Sequence, residues 1–528
     1  MVGAELSELG RVMEMPVHTP QGSMNSGKNM EIAIVGAGFA GICMGIRLKL
    51  AGFHQFTIFE RDTQLGGTWR DNTYPGAACD VPSFLYSFSF APKTDWTRKF
   101  AEQHEILQYL EDTARDFGIL PHIRFDTEIT EARFEKDAGL WRIETNRGEV
   151  FNANALVTGC GQLNTPSYPD IAGRDAFKGV QFHSARWNHE HDLSGKRVAV
   201  VGNGASALQI IPEIAKKTKQ LYVFQRSAHW VIKKPDREYA EWEKKLFARI
   251  PLWRKLYRAL IWAHFEMRWP MFFKNNIVSR LYQKKVERDI RRQVADPQLE
   301  EQLVPDYALG CKRILISNDY YDALQQDNVE VISNPIERIT ENTILSEDKR
   351  AFEVDTIVFA TGFESQTFLA PMEVWGPAGR TLDEAWKGGA EAYLGICVSG
   401  FPNLFILYGP NTNLAHNSII FMLECQVHYV VECLKTMSQK NFKCMDVRDD
   451  VMSTFNTKMQ DDLRQTVWDT GCTSWYKTDT GKIVNNWAHS TTAYWWKTRK
   501  PDFTKFDIVP HEDQQHPPRE LAQPARSS

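Results

Sequence analysis

Residues 30–52 read MEIAIVGAGFAGICMGIRLKLAG: a short β-branched apolar run, a turn carrying Gly36, Gly38 and Gly41, then apolar residues at helical spacing. This order predicts strand, tight turn and helix. The first glycine permits the turn, the second lets backbone approach a pyrophosphate, and the third lets the helix pack on the strand, with the helix N-terminus facing phosphate charge. The next strand, 56–59, ends in Glu60, 24 residues after Gly36. A carboxylate there accepts hydrogen bonds from a ribose diol and therefore suits an unphosphorylated ribose. Without that acid in register, three glycines would amount to no more than a turn in an α/β domain.

Residues 196–209, KRVAVVGNGASALQ, repeat the pattern with Gly202, Gly204 and Ala207. Asn203, Ala205 and Ser206 fill the turn and open its helix, and are assigned with the glycines to cofactor binding. The second strand, 221–224, is followed by Gln225, Arg226 and Ser227, and Arg226 again lies 24 residues after the first glycine. Arginine binds a 2′-phosphate bidentately, the Ser227 hydroxyl adds a donor, and NADPH is favoured over NADH. A chain with one acid-read ribose and one cation-read ribose looks like a flavoprotein holding FAD and reduced by NADPH.

Segments 155–161 (ALVTGCG) and 355–362 (DTIVFATG) read as apolar strands ending in Thr-Gly turns that carry the chain between two dinucleotide domains. Segment 405–417 (FILYGPNTNLAHN) reads as a strand and Gly-Pro-Asn turn that brings a helix N-terminus toward the flavin. The expected fold is α/β, two interleaved Rossmann-like domains with a helical insert. The FAD domain takes 30–166 and 364–509, the NADPH domain 167–235 and 311–363, and the insert 236–310 forms part of the substrate cavity. Residues 1–29, with Glu5, Glu8 and Glu14, and the Pro-, Gln- and Ser-rich tail 510–528 read as flexible termini.

With 528 residues the chain is long enough for several domains. Its 43% apolar and 24% charged residues and net charge of −4 fit a globular protein and give no bulk attraction to nucleic acid. Nine cysteines (Cys43, Cys79, Cys160, Cys311, Cys397, Cys425, Cys433, Cys444 and Cys472) are scattered without a C-x-x-C pair. They read as unpaired thiols of a reducing, cytoplasmic protein, and they leave a disulfide reductase without its redox pair. His189 and His191 would share one face of a strand, with no third ligand close by, so no metal is expected. No signal peptide or uninterrupted apolar span is apparent. Residues 246–274, LFARIPLWRKLYRALIWAHFEMRWPMFFK, read as helices covering an apolar pocket; a peripheral membrane face is the functional alternative, since basic, aromatic amphipathic helices lie in bilayer interfaces. No protein partner and no obligate membrane association are implied.

Two further motifs carry a family resemblance. Phe177-Lys-Gly179-Val-Gln-Phe-His183-Ser-Ala-Arg-Trp187-Asn188 resembles the F-x-G-x-x-x-H-x-x-x-W-[P/D] fingerprint of type I Baeyer–Villiger monooxygenases, departing only at Asn188. Gly66-Gly67-Thr68-Trp69, followed by Tyr74-Pro75-Gly76 and Asp80, matches that family's [A/G]-G-x-W-x-x-x-x-[F/Y]-P-[G/M]-x-x-x-D pattern in full. Flavin-dependent N- and S-monooxygenases share the two-site plan but end the first fingerprint in tyrosine. The resemblance implies FAD, NADPH and O2 acting on a ketone through a C4a-peroxyflavin and a tetrahedral adduct, giving an ester or lactone, with sulfide oxidation as a side activity.

It also implies residue roles. Arg313 and Asp80 resemble the arginine beside the flavin and its supporting aspartate, and are the catalytic candidates. Lys312 resembles a lysine that contacts the NADPH phosphate, Trp475 a mobile-loop tryptophan closing over the nicotinamide, and Tyr86 a flavin contact; Thr68 and Trp69 belong to the same cofactor set. A guanidinium stays protonated and offers a planar fork to a developing oxyanion. Outside the motif, a Lys-Arg dipeptide is ordinarily half of a surface ion pair. His183 reads as a hydrogen-bonded linker residue, with a proton shuttle as the functional alternative.

Overall fold

The computed structural model describes residues 30–511. The leader 1–29 and the tail from 512 onward, both expected to be flexible, lie outside the described residues. Strand β1 (Ile32–Val35) passes through the first glycine turn into α1 (Phe39–Leu50) and β2 (Phe56–Phe59). β3 (Ile123–Arg124) and β4 (Ala155–Thr158) follow. The chain then leaves this sheet to form β5 (Val180–His183), β6 (Arg197–Val201), α2 (Ala205–Ala215) and β7 (Gln220–Phe224). The insert contributes α3 (Glu241–Arg249), α4 (Pro251–Glu266), α5 (Ile277–Gln293) and α6 (Pro297–Leu303). β8 (Val329–Ile332) and β9 (Thr356–Phe359) complete the second sheet, β10 (Leu404–Ile406) returns to the first, and α7 (Ile419–Lys440) follows it.

Two five-stranded parallel sheets result, in the orders β10-β4-β1-β2-β3 and β8-β7-β6-β9-β5. Interior strands of such sheets are covered on both faces, which is why β4 and β9 are apolar or threonine throughout and wholly buried. In each sheet the strand before the glycine turn is central. On one side of it lies the strand leading to Glu60 or Arg226, and on the other the strand leading to a Thr-Gly turn. The fold is thus two interleaved Rossmann-like domains with a helical insert.

The duplication reaches atomic detail. Gly36 has φ +95° and a Cβ there would lie 2.8 Å from the Gly159 carbonyl oxygen; Gly202 has φ +109° and its Cβ would lie 2.4 Å from that of Ala360. Gly159 and Ala360 each follow the last residue of the neighbouring strand, so both turns are pressed on the sheet at the same place.

Helices α3 and α4 of the insert bury their inner face on the first domain, whereas α5 and α6 bury Val286, Ile290 and Leu303 in the core of the second. Phe84 packs on Phe247 and Tyr257 at 4.5 and 5.4 Å between centroids, and Trp262 Nε1 donates to Thr491 Oγ1 at 3.1 Å. Glu266 accepts bonds from Asn417, Thr491 and Thr492.

Four expectations change. No residue of 236–310 lines the cavity described below: the inner faces of α3 and α4 are taken up by the core of the first domain, and those of α5 and α6 by the core of the second. His189 and His191 sit in a turn, bonded to Thr73 and Thr356 hydroxyls at 2.7 and 2.8 Å, and not on a strand face. Among the described residues, no group of three or more His, Cys, Asp or Glu could hold a metal ion. Cys311 and Cys472 are joined in a disulfide across 161 positions, whereas the other seven cysteines are free; local spacing carries no sign of so distant a pair. Pro510, assigned to the tail, ends a strand (Phe506–Pro510) paired with Phe442–Val447.

Candidate active site

A cavity of about 1010 Å³ is lined by both glycine turns, by residues of the 66–80 motif and by the 473–475 loop. Every residue singled out as catalytic or cofactor-binding lines it, except Gly41, which is buried in the first turn of α1.

At the first turn Glu60 is 5% exposed. Its carboxylate accepts the Ala37 N–H at 2.8 Å, the Asp62 N–H at 3.1 Å and Arg70 Nη1 at 2.9 Å. The Arg70 guanidinium offsets the burial of the glutamate charge, and it also binds Asp62 and Asp71 at 2.7 and 2.8 Å. A carboxylate has about four lone-pair sites, which leaves Glu60 with capacity for an outside hydroxyl. Arg70 falls on an unspecified position of the 66–80 motif and carries no signal of its own.

Around the second turn, Arg226 is exposed and makes no hydrogen bond or ion pair among the described residues. Lys312 Nζ donates to Ser227 Oγ at 2.6 Å and lies 4.6 Å from the Tyr307 ring centroid. Burial, and then repulsion from Arg226, hold the Lys312 ammonium below the usual lysine range, with Asp306 opposing. The two cations thus stand close enough to repel, and Lys312 alone bonds the Ser227 hydroxyl. Asn203 Nδ2 donates to Gln225 Oε1 at 3.0 Å and to the Ser227 carbonyl at 2.8 Å, holding the 225–227 segment against the glycine turn.

Between the two turns stands an ion pair. Arg313 donates from Nε at 2.9 Å and from Nη2 at 2.6 Å to a single oxygen, Asp80 Oδ2. Both side chains are 32% exposed where they line the cavity. Using two donors on one oxygen turns the guanidinium edge-on and leaves Nη1 outside the pair. Asp80, and then Tyr476 and Tyr408, raise the proton affinity of Arg313, while burial opposes them; the cation is fixed. Neither tyrosine belongs to a motif, although Tyr476 directly follows Trp475.

The 66–80 motif is itself clamped to the second domain. Gln209 on α2 accepts from Tyr74 Oη at 3.1 Å and from the Ala78 N–H at 3.4 Å, and donates to the Ala78 carbonyl at 2.9 Å. This sets Asp80 from one domain against Arg313 from the chain that leaves the insert. Thr68 and Trp69 start a short helix (Thr68–Asp71), and Trp69 Nε1 donates to Tyr86 Oη at 3.2 Å. Burial pushes the Tyr86 phenol up, so it stays a neutral hydroxyl. Trp475 packs at a tilt against Tyr476, with 4.5 Å between centroids. Its loop is tied to the Arg313 segment by Cys311–Cys472.

Trp187 packs edge-on against Phe182 at 5.0 Å between centroids. The departure at Asn188 keeps the turn intact: its Oδ1 accepts the Glu190 N–H at 3.1 Å, a bond that aspartate makes with the same oxygen. His183 is fully buried, accepts the Ala185 N–H on Nδ1 at 3.1 Å, and is pushed down to about 4 chiefly by burial. It is a neutral linker at pH 7.

Comparison with known proteins agrees with this geometry. The flavin-binding monooxygenase-like family model matches residues 29–372. A Baeyer–Villiger monooxygenase of Streptomyces coelicolor is 40% identical over 484 residues, covering 91% of this chain and 93% of the relative. Among solved structures, oxidised steroid monooxygenase bound to NADP has a TM-score of 0.82 at 31% identity, covering 91% of this chain and 99% of the other. OTEMO in complex with FAD and NADP has a TM-score of 0.83 at 25% identity, covering 92% of this chain and all of the other. By its motifs, its paired turns and these relatives, the chain belongs to the flavin-binding monooxygenase-like family and, within it, to the Baeyer–Villiger monooxygenases.

Proposed function

We propose that this chain is an NADPH-dependent monooxygenase that holds FAD at the Gly36 turn and NADPH at the Gly202 turn, and uses O2 to convert ketones to esters or lactones. The residues fit both groups. Glu60 keeps acceptor capacity for a ribose hydroxyl, and Arg226 and Lys312 are juxtaposed cations that an anion would relieve. When bound, reduced flavin supplies the electrons that activate O2.

The observation that carries the reading is the Asp80–Arg313 pair at the cavity wall. Oxygen inserted beside a carbonyl passes through species with negative charge on oxygen, and a fixed guanidinium stabilises that charge. Asp80 orients Arg313 without taking its proton. An N- or S-oxygenating reaction, the competing reading, uses a neutral oxygen donor and gains little from such a cation; sulfide oxidation is then a side activity.

The test is product analysis with cyclic, aromatic and linear aliphatic ketones in the presence of NADPH and air. Ester or lactone formed in step with NADPH consumption is expected; none from any of the three would end the proposal. Gly202→Ala should separate the two turns. The added methyl meets backbone and sits at positive φ, a strain of about 1–3 kcal/mol, so the KM for NADPH should rise about ten-fold or more while the flavin spectrum of the purified protein persists. Loss of the flavin instead would contradict the assignment of the turns.

A further inference from the structure

Of the fifteen large apolar residues that stand exposed among the described residues, ten fall between Trp242 and Leu281. They are ordered. Leu252, Leu256, Leu260 and Met267, 76%, 46%, 56% and 72% exposed, follow one another at intervals of four, four and seven along α4 and its C-cap, which makes a single outward stripe. The opposite side of the same helix buries Ile261 and Trp262 on the first domain. After a short turn, Ile277, Val278 and Leu281 continue the exposed apolar surface on the first turns of α5. This helix pair therefore has two apolar faces, and the protein covers one.

Charge is segregated to the same place. Residues 241–293 hold fourteen Lys and Arg against five Asp and Glu, a net of +9 within a chain whose net charge is −4. Four of the five acids are engaged: Glu241 and Glu243 pair with Lys244 and Arg237, Glu266 faces Thr491 and Asn417, and Glu287 accepts from Gln283. Lys245, Arg249, Lys284, Arg288 and Arg292 carry no ion pair among the described residues. Beyond Leu281 on α5, exposed Lys284, Lys285 and Arg288 take the place of apolar residues. No helix of the described residues is long and apolar enough to cross a membrane.

We propose that this face of the insert docks on the surface of an anionic lipid bilayer, the Leu252–Met267 stripe and the Ile277–Leu281 turn entering the headgroup boundary and the unpaired cations contacting lipid phosphates. Exposed Leu, Ile, Trp and Met bordered by Lys and Arg are the composition of an in-plane amphipathic helix, and the cationic border is what an anionic surface attracts. A second copy of the chain would need a complementary acidic border beside an apolar patch, and the segment that carries the patch here has a net charge of +9. Because no residue of 236–310 lines the cavity, docking leaves the site free.

The test is flotation of the purified full-length protein with vesicles of phosphatidylcholine alone or with about 30% phosphatidylserine, in about 0.1 and 0.5 M NaCl, where charge screening shortens from about 10 Å toward 3 Å. The fraction bound should be about ten-fold higher on the anionic vesicles and fall back in high salt. Leu256→Glu with Leu260→Glu should abolish flotation while leaving NADPH oxidation and the thermal midpoint unchanged, since both side chains are solvent-facing. Equal binding to neutral and anionic vesicles, no binding to either, or flotation unaffected by the double substitution would each overturn the proposal. So would sedimentation showing that the double substitution dissolves a dimer present without lipid, because the face would then belong to a second copy. None of these readings depends on the ketone reaction, so they stand or fall apart from it.

Discussion

Arg313→Ala should lower kcat/KM for ketone oxygenation by about 10³-fold or more, with flavin still bound and NADPH still oxidised. Removing one neutral oxyanion donor costs about 10²–10³ in kcat, and here the lost group carries a full charge. The variant also leaves Asp80 facing the cavity without the two donors its Oδ2 now accepts. An unpaired carboxylate next to developing negative charge works against the reaction, so Arg313→Ala should be worse than the double variant Arg313→Ala/Asp80→Ala, a sign opposite to additive damage. Arg313→Lys keeps charge but cannot supply Nε and Nη2 to one oxygen while leaving a third nitrogen outward; we expect a loss of about 10–10². Gas chromatography of ester or lactone against NADPH consumed reads both turnover and coupling. Sulfide oxygenation, which gains less from the cation, should survive Arg313→Ala better than ketone oxygenation. Equal loss of both would place Arg313 in the architecture of the cavity and not in the chemistry.

How much of this was legible in the chain depends on whether each feature is local. The two turns were, because glycine spacing, strand apolarity and the residue 24 positions on are set by one βαβ unit, and β2 falls on 56–59 as the apolar run predicts. The 66–80 and 177–188 motifs were also legible, even the harmless exchange at Asn188, whose effect is a bond two residues away. What escaped is long-range. Cys311 and Cys472 meet across 161 positions, Gln209 clamps a loop 131 positions earlier at Ala78, and Arg70 shields Glu60 only because the Thr68–Asp71 helix folds back over β2. The insert misled for a different reason. Amphipathic helices with apolar residues on two sides read as cover for a pocket, and periodicity alone cannot say which side faces protein. Its two faces part only in the fold, where Trp262 goes inward and Leu260 outward.

Arg226→Ala should raise the KM for NADPH about 10–100-fold and leave that for NADH almost unchanged. The estimate follows from the loss of charge-assisted bonds, about 1.5–3 kcal/mol, at a side chain with no other partner among the described residues. Lys312 adds a pH dependence of definite sign. Its ammonium is held below the usual range by burial and by Arg226, and a bound 2′-phosphate favours the protonated form, so phosphate binding is strongest while Lys312 is charged. Raising the pH through its depressed value should therefore weaken NADPH relative to NADH, and the decline should begin below the usual lysine range. In Arg226→Ala the repulsion is gone, Lys312 holds its proton to higher pH, and the decline should shift upward. The ratio of KM values for the two nucleotides, followed from pH 7 into the alkaline range in both proteins, gives the result. Parallel changes for NADPH and NADH would show that Arg226 and Lys312 bind what the two cofactors share, and would take the 2′-phosphate away from them.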